Sequence, residues 1–423
     1  MNLSNAKLPN GNLSIASLSN RSWTRWILLV VVGLVASPVV ARDWDKWRGP
    51  DRNLISTETG WRSDWKKKKL TRLWEKNVGK GYSAVSVSEG RAYTLGNTGG
   101  RETVYCFDAE TGKEVWSHDY QCGLVAHLHS GGPAATPTVD ADRVYTFSRE
   151  GHLHCFRKAD GKIVWHLDLT KLLQVEVPTW GFSSSPLVQG DKLFLDAGPL
   201  IALNKMTGEQ LWKTRDYRPG YGSPTLFKDG SELYVSVLNN DAVILARTSD
   251  GKVTSEFPWE TQYQTSSTSP VVHEGTIFIS TAYNRGCALL DVLGGELTLR
   301  YENKHMRNHM NNSVLFDGFL YGFDRTNSPR RLAHLVCVEH KTGEVRWRQN
   351  GFGSGGVVVV DGKLIILGDQ GELMIAKATP KGFAAISREQ ILSGTCWTIP
   401  VLSGGRIYCR SELGEVVCLD VRN

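Results

Sequence analysis

The sequence predicts an all-β fold, an eight-bladed β-propeller of four-stranded antiparallel blades whose ring is closed by its N- and C-terminal strands. Three observations lead there. First, the stretch CFDAETGKEVW at 106–116 recurs as CFRKADGKIVW at 155–165, ALNKMTGEQLW at 202–212 and CVEHKTGEVRW at 337–347. Second, the turn glycines of these copies and of two worn ones, Gly112, Gly161, Gly208, Gly251, Gly295 and Gly343, are 49, 47, 43, 44 and 48 residues apart by subtraction. That is the length of one blade. Third, the repeat array opens with a lone strand and ends one strand short.

Each copy reads as a strand, a tight turn and the start of the next strand. The turn glycine supplies a positive φ, and Asp108 or Thr111 can hydrogen-bond the turn amides. The tryptophan four residues later is a large flat anchor suited to wedging one sheet against the next. Trp116, Trp165, Trp212 and Trp347 are these anchors, while in the worn copies the slot falls on Ser255 and Leu299. Cys106, Cys155, Cys337 and Cys418 share one repeat position, which reads as a small buried residue between blades.

Apolar strand starts at 84–87, 137–139, 186–188, 224–227, 270–272, 313–316, 357–360 and 400–402 count eight blades. The seventh has lost the motif, reading KATPKGFAAI. At 70–78, LTRLWEKNV carries an anchor, Trp74, with no turn before it, and the chain stops at CLDVRN where a fourth strand is missing. Pairing these two ends closes the ring and removes free sheet edges.

The pattern A-x-D-x-x-T-G-x-x-x-W resembles the tryptophan-docking motif of pyrroloquinoline-quinone (PQQ)-type propellers. That group contains quinoprotein alcohol dehydrogenases and the propeller lipoprotein of the outer-membrane barrel-assembly machinery. The resemblance covers roughly residues 70–423. It implies the fold more than a function, because the motif holds blades together. The segment at 42–69 resembles the W-x-x-W-R-G-P lead-in of secreted members, and its Trp44, Trp47, Trp61 and Trp65 are expected to pack on the outside of the ring.

Residues 1–41 read as a signal peptide. Arg21 and Arg25 precede an apolar run at 27–36, followed by Val39-Val40-Ala41 as a cleavage site. The run is short for a membrane span, so a periplasmic or extracellular protein without a transmembrane span is expected. Cleavage would remove Lys7, Arg21 and Arg25 and no acid, taking the formal charge from +6 to +3. So small a charge gives no footprint for nucleic acid, and the run of lysines at 66–69 reads as a solvated linker. The eight cysteines show no metal-binding spacing. Cys409 and Cys418 are symmetric about Leu413-Gly414 and are expected to face each other across a hairpin, where a disulfide is one possibility.

Chemistry in a propeller is expected in the loops that enter the innermost strands, around the channel mouth. Those loops carry Tyr82, His129, Trp180, Tyr221, Gln264, Arg307, His309, Asn311 and Trp397. The mouth is thus aromatic, amide-bearing and mildly cationic, which suits a glycan, an extended peptide or another protein as the partner of a monomeric, non-catalytic module. His127 and His129 alternate as ligands on one strand face would, with His309 as a third, but the expectation is no metal. His152 and His154 read as structural.

The alternative implied by the resemblance is a PQQ-dependent dehydrogenase of alcohols, polymeric ones such as polyvinyl alcohol among them. Trp180 or Trp397 would then stack on the quinone, and Arg307 or Arg218 would hold its carboxylates. Such an enzyme needs calcium with carboxylate ligands and an aspartate base. Near the mouth there is only Glu260, with Glu176 and Asp216 further back, and the adjacent cysteine pair of that group is absent. No nucleophile elbow, H-E-x-x-H helix, Walker loop or dinucleotide fingerprint occurs in a suitable context.

Overall fold

In the computed structural model, residues 43–125, 129–326 and 333–423 are described. The proposed leader and His127 lie outside them. Eight antiparallel sheets follow one another along the chain. Blades 1 to 7 occupy 86–121, 138–168, 187–213, 225–258, 271–303, 314–349 and 356–390. Blade 8 takes three strands from 401–420 and its outermost from Thr71–Asn77, with Trp74 opposite Cys418. The first and last strands therefore close the ring. No helix among the described residues is long and apolar enough to cross a membrane.

The repeat works as a lock between neighbours. In blade 1, Trp116 pairs across the sheet with Cys106, and Cys106 with Tyr93. The same row is built from Trp165, Cys155 and Tyr145, from Trp347, Cys337 and Tyr321, and from Trp74, Cys418 and Tyr408. Each indole then reaches the next blade's turn. Trp74 donates Nε1–H to the Ala109 carbonyl at 3.1 Å and Trp116 to that of Lys158 at 2.9 Å. Trp165, Trp212 and Trp347 do the same to Lys205, Thr248 and Thr379. The turn glycine is required twice over. Gly161 has φ 70°, and a Cβ there would lie 2.5 Å from the Trp116 ring.

Two blades solve the lock differently from the expectation. In blade 5 the strands run on to a two-residue Gly294-Gly295 turn, pairing Leu293 with Glu296. The longer ladder moves the anchor two residues on, so Leu299 is exposed and Tyr301 takes the slot. Its hydroxyl donates to the His340 carbonyl at 2.9 Å, and its ring lies against Gly343. In blade 7 the slot is Ser387, and blade 8 offers no turn to dock on because its fourth strand comes from the other end of the chain. Trp65 fills this gap, its amide donating to Ser387 Oγ at 3.1 Å.

A second relay circles the tunnel. Just before the innermost strands of blades 1 to 5, an amide donates to the next blade's side chain: Ala84 to Thr136, Thr136 to Ser185, Ser185 to Ser223, Ser223 to Ser269 and Ser269 to Asn312, at 2.8–3.2 Å. Amides that no sheet partner could satisfy are paired in this way.

The first part of the arm, residues 44–56, does not pack outside the ring as expected; it threads the inside. Trp44 pairs with Val87 on the inner edge of blade 1, and the Asp45 carbonyl accepts from Val139 of blade 2. Arg52 donates to Val188 of blade 3, and Arg48 to Thr225 of blade 4 and Pro270 of blade 5. Ile55–Ser56 adds a parallel strand to blade 7, and Glu58 accepts from Gly404 and Gly405 of blade 8. The physical reason lies in the inner edges. Eight short strands present unpaired amides to the tunnel, and an extended segment with buried indoles and arginines satisfies them while filling the space. Trp44 is accordingly buried there, and Trp61 and Trp65 are buried further along the arm, Trp65 against the outermost strand of blade 7.

The expected facing of Cys409 and Cys418 is also corrected. Cys409 pairs with Val417 and Cys418 with Tyr408. A hairpin shifted by one residue sends the two thiols to opposite faces. All eight cysteines are free and buried.

At the seam of blades 1 and 2, His154 is stacked on His166 with ring centroids 4.4 Å apart, and His118 and His152 lie at 6.3 and 6.4 Å. Tyr120 and Phe156 complete the surroundings. Burial first, then the neighbouring imidazoles, lowers the His154 pKa to about 3. The native seam thus prefers neutral His154, whereas the unfolded chain takes up a proton below about pH 6.5. This group therefore adds nothing to the pH dependence above that value and lowers stability as pH falls below it, by up to ~1.4 kcal/mol per pH unit. Denaturant unfolding between pH 7 and 4.5 should show a shallower loss for His154→Phe than for the native chain. Equal slopes would contradict the assignment.

Candidate functional site

Connections from the outermost strand of one blade to the innermost of the next all emerge on one face, and so do the hairpins between second and third strands. Together they wall a cavity of about 290 Å³ at the channel mouth. Its floor is Trp47, brought up through the ring by the arm.

An aromatic belt runs round the rim. Trp180 lies 5.5 Å from His129, His129 5.5 Å edge-on to Tyr82, and Tyr82 5.5 Å from Trp397 in a stacked pair tilted by 22°. Trp397 meets His309 edge-on, His309 meets Tyr283, and Tyr283 meets Tyr263 at 4.9 Å. Tyr221, from the entry loop of the next blade, lines the cavity beside Trp180. Rings in edge-to-face and offset contact fix one another's orientation, so the belt is preorganised.

Hydrogen bonds hold it further. The Tyr82 hydroxyl donates to Glu412 at 2.7 Å, and Ser130 donates to the same carboxylate oxygen at 2.8 Å. Burial alone would raise the Glu412 pKa, but the hydrogen bonds from Tyr82, Ser130 and Thr395 outweigh it and hold the carboxyl below its ordinary value. Asn311 donates Nδ2–H to the carbonyls of Gly355 and Trp397 at 3.1 and 2.9 Å. Tyr283 is held at φ 53°, a conformation unfavourable to a bulky residue. Its hydroxyl is 2.8 Å from His309 Nε2. The His309 pKa falls to about 3, through burial and then Arg325, so the ring is neutral at physiological pH.

Of the nine residues named from sequence, Tyr82, His129, Trp180, Tyr221, His309, Asn311 and Trp397 line this cavity. Gln264 does not; it is exposed beside Thr265, which does. Arg307 is turned away. Its Nε donates to Asp324 at 2.6 Å and Nη2 at 2.9 Å, while Arg348 reaches the same carboxylate at 2.6 Å. Asp324 is fully buried, and its hydrogen bonds raise the pKa of Arg307. Arg218 is likewise taken up by Asp241 and Glu260. The sequence reading missed Trp47, Tyr283 and Arg325. Tyr283 and Arg325 sit at the ends of second strands, and nothing but the blade topology brings those hairpins to the mouth.

Because Asp324 neutralises two arginines, its loss should be structural. Asp324→Asn leaves two cations around a buried amide and should cost about 3 kcal/mol in denaturant unfolding. A change below 0.5 kcal/mol, within the ordinary range of surface substitutions, would show that Arg307 is free for another role.

Comparison with known proteins places this geometry. The profile of the family described as outer membrane protein assembly factor BamB matches residues 54–132, 100–349 and 333–423. No curated protein matches the sequence. Among solved structures, BamB from Moraxella catarrhalis is 15% identical over 83% of this chain and 97% of that one, with a TM-score of 0.60. A quinohemoprotein alcohol dehydrogenase from Comamonas testosteroni is 13% identical, covers 90% of this chain and 81% of its own, and has a TM-score of 0.68. A europium-containing methanol dehydrogenase is 11% identical over 88% and 90%, at 0.64. At such identities these likenesses speak for the fold alone. The family profile spans almost the whole ring, and the chain belongs to the outer membrane protein assembly factor BamB family of PQQ-type propellers.

Proposed function

We infer that the protein is an exported, non-catalytic binding module whose ligand enters the aromatic cavity at the channel mouth. The observation that carries this reading is the belt itself: a preorganised ring of flat faces around a closed-bottomed cavity in which no Asp or Glu is among the described lining residues. Such a site offers stacking and a few fixed polar contacts, which is what recognition needs. It offers no lining carboxylate to take a proton from a bound substrate, and the imidazole of His309 is already engaged by Tyr283 and Arg325. Export rests on the leader at 1–41 and accords with the family's outer-membrane name. A monomer acting on a protein or glycan partner fits the same picture.

A quinone enzyme is the second reading, since two of the structural neighbours are alcohol or methanol dehydrogenases. The residues present do not fit a calcium-bound quinone. Calcium takes six to eight oxygen ligands, carboxylates among them. Here Glu412 is engaged by Tyr82 and Ser130, Asp369 lies in a small side pocket, and the Asn311 amide nitrogen is committed to two carbonyls. Among the described residues, no group of three His, Cys, Asp or Glu side chains is arranged to hold a metal ion. Arg307 and Arg218, the clamps implied by the resemblance, are paired elsewhere.

The test uses glycan and peptide arrays probed with the mature chain and with a Trp180→Ala, Trp397→Ala double variant. Hits should weaken at least about tenfold in the variant, the equivalent of 1.4 kcal/mol. Hits that persist unchanged would place the site elsewhere. Tight binding of PQQ with calcium, followed by dye reduction with alcohols, would replace this reading by the enzymatic one.

A further inference from the structure

Resting on the cavity reading, we propose that the end group this site selects is an anionic sugar ring, held by Arg325 through the ring's acidic substituent. Arg325 ends the second strand of blade 6, Phe319–Arg325, and its guanidinium lies against the His309 imidazole, with Nη1 2.5 Å from Nδ1. It lines the cavity, whose described lining residues include no lysine, aspartate or glutamate. Among the described residues it makes no ion pair. The Asp369 carboxylate shares the small side pocket with it but accepts from Ser354 N and Gln370 Nε2.

Other arginines are spent on carboxylates, Arg307 and Arg348 on Asp324, Arg218 on Asp241 and Glu260 and Arg388 on Glu372, or, like the buried Arg48 and Arg410, on backbone carbonyls and hydroxyls. A half-buried guanidinium with only a neutral imidazole for company retains a fork of donors matched to a carboxylate or sulfate. His309 supplies no competing charge, because burial and Arg325 itself keep it unprotonated. The Tyr283 hydroxyl on its other nitrogen fixes the ring, and the imidazole in turn steadies the guanidinium.

The body of the ligand follows from the remaining walls. Trp397 and Tyr82 present a stacked pair of faces, Trp180 a third, and Trp47 closes the bottom. Peptide backbone is captured by a free row of amides or a sheet edge. Here the amides ahead of the innermost strands are already donated around the relay to Thr136, Ser185, Ser223 and Ser269. What the cavity leaves open is aromatic surface with one cationic end. A pyranose that lays its apolar C–H face on an indole and bears one acidic group, entering end-on as the terminus of a chain, satisfies both.

Calorimetric titration of the native chain decides this, with a uronic-acid oligosaccharide, its neutral counterpart, a sulfated counterpart and a short peptide acid with its amide. The acidic oligosaccharide should bind at least about tenfold more tightly than the neutral one, the value of one charge-assisted hydrogen bond. Arg325→Gln should erase that preference and Arg325→Lys restore part of it, with thermal unfolding confirming that both variants fold. A better fit of the sulfated ring over the uronate, lost in Arg325→Gln, would identify the acidic group as sulfate. Equal binding of neutral and acidic rings, or a preference that survives Arg325→Gln, overturns the proposal while leaving the aromatic cavity as the site. Binding of the peptide acid but not its amide, lost in Arg325→Gln, overturns the sugar class. If none of the probes binds, the proposal fails, and the array comparison with the double aromatic variant separately decides the cavity.

Discussion

The structure depends on one repeated contact: an aromatic anchor from the outer strand of blades 1, 2, 3, 5, 6 and 8 pressed onto the bare backbone of the next blade's turn. Trp116 over Gly161 shows why it is specific. The ring needs a residue without a side chain, the indole N–H needs a free carbonyl, and the Cys106–Tyr93 row behind it needs a small residue at its centre. Each condition is local, so blades of different sequence assemble by the same rule. Where the rule is bent, the replacement keeps an aromatic ring. Tyr301 keeps a ring and a donor, while Trp65 brings only the indole's bulk from outside the blade and bonds to Ser387 through its backbone amide.

Closing a ring this way leaves two surfaces unsolved, the inner edges of the blades and the seam where the ends meet. The arm answers both. Its first half lies along the tunnel and bonds to the inner edges of blades 1 to 5, and its second half covers blades 7 and 8. One consequence is functional. A propeller with an open tunnel would offer a pore, whereas this one offers a cup, with Trp47 as its base and an aromatic rim above.

Much of this was legible in the chain. The spacing of Gly112, Gly161 and Gly208 gives the blade length, and Trp74 without a turn gives the closure. The mouth aromatics Tyr82, Trp180, Tyr221 and Trp397 were identifiable because entry loops follow from strand order alone. What escaped depended on pairing in space. Tyr301 was hidden by a turn two residues tighter than its relatives, and the Cys409 face by a one-residue register. Arg307 looked free because Asp324 is 17 residues away in sequence yet directly beside it in the sheet. The arm was misplaced because indoles next to arginines suit a surface as well as a tunnel, and only the unpaired inner edges decide between them.

Amide hydrogen exchange at the tunnel wall tests the central claim most directly. The Val87, Val139 and Val359 amides bond to Trp44, Asp45 and Leu54 of the arm. With the arm inside the ring they should exchange as slowly as amides in the middle of the blades. Exchange at the rate of open loops would mean that the tunnel is empty and the cavity has no floor.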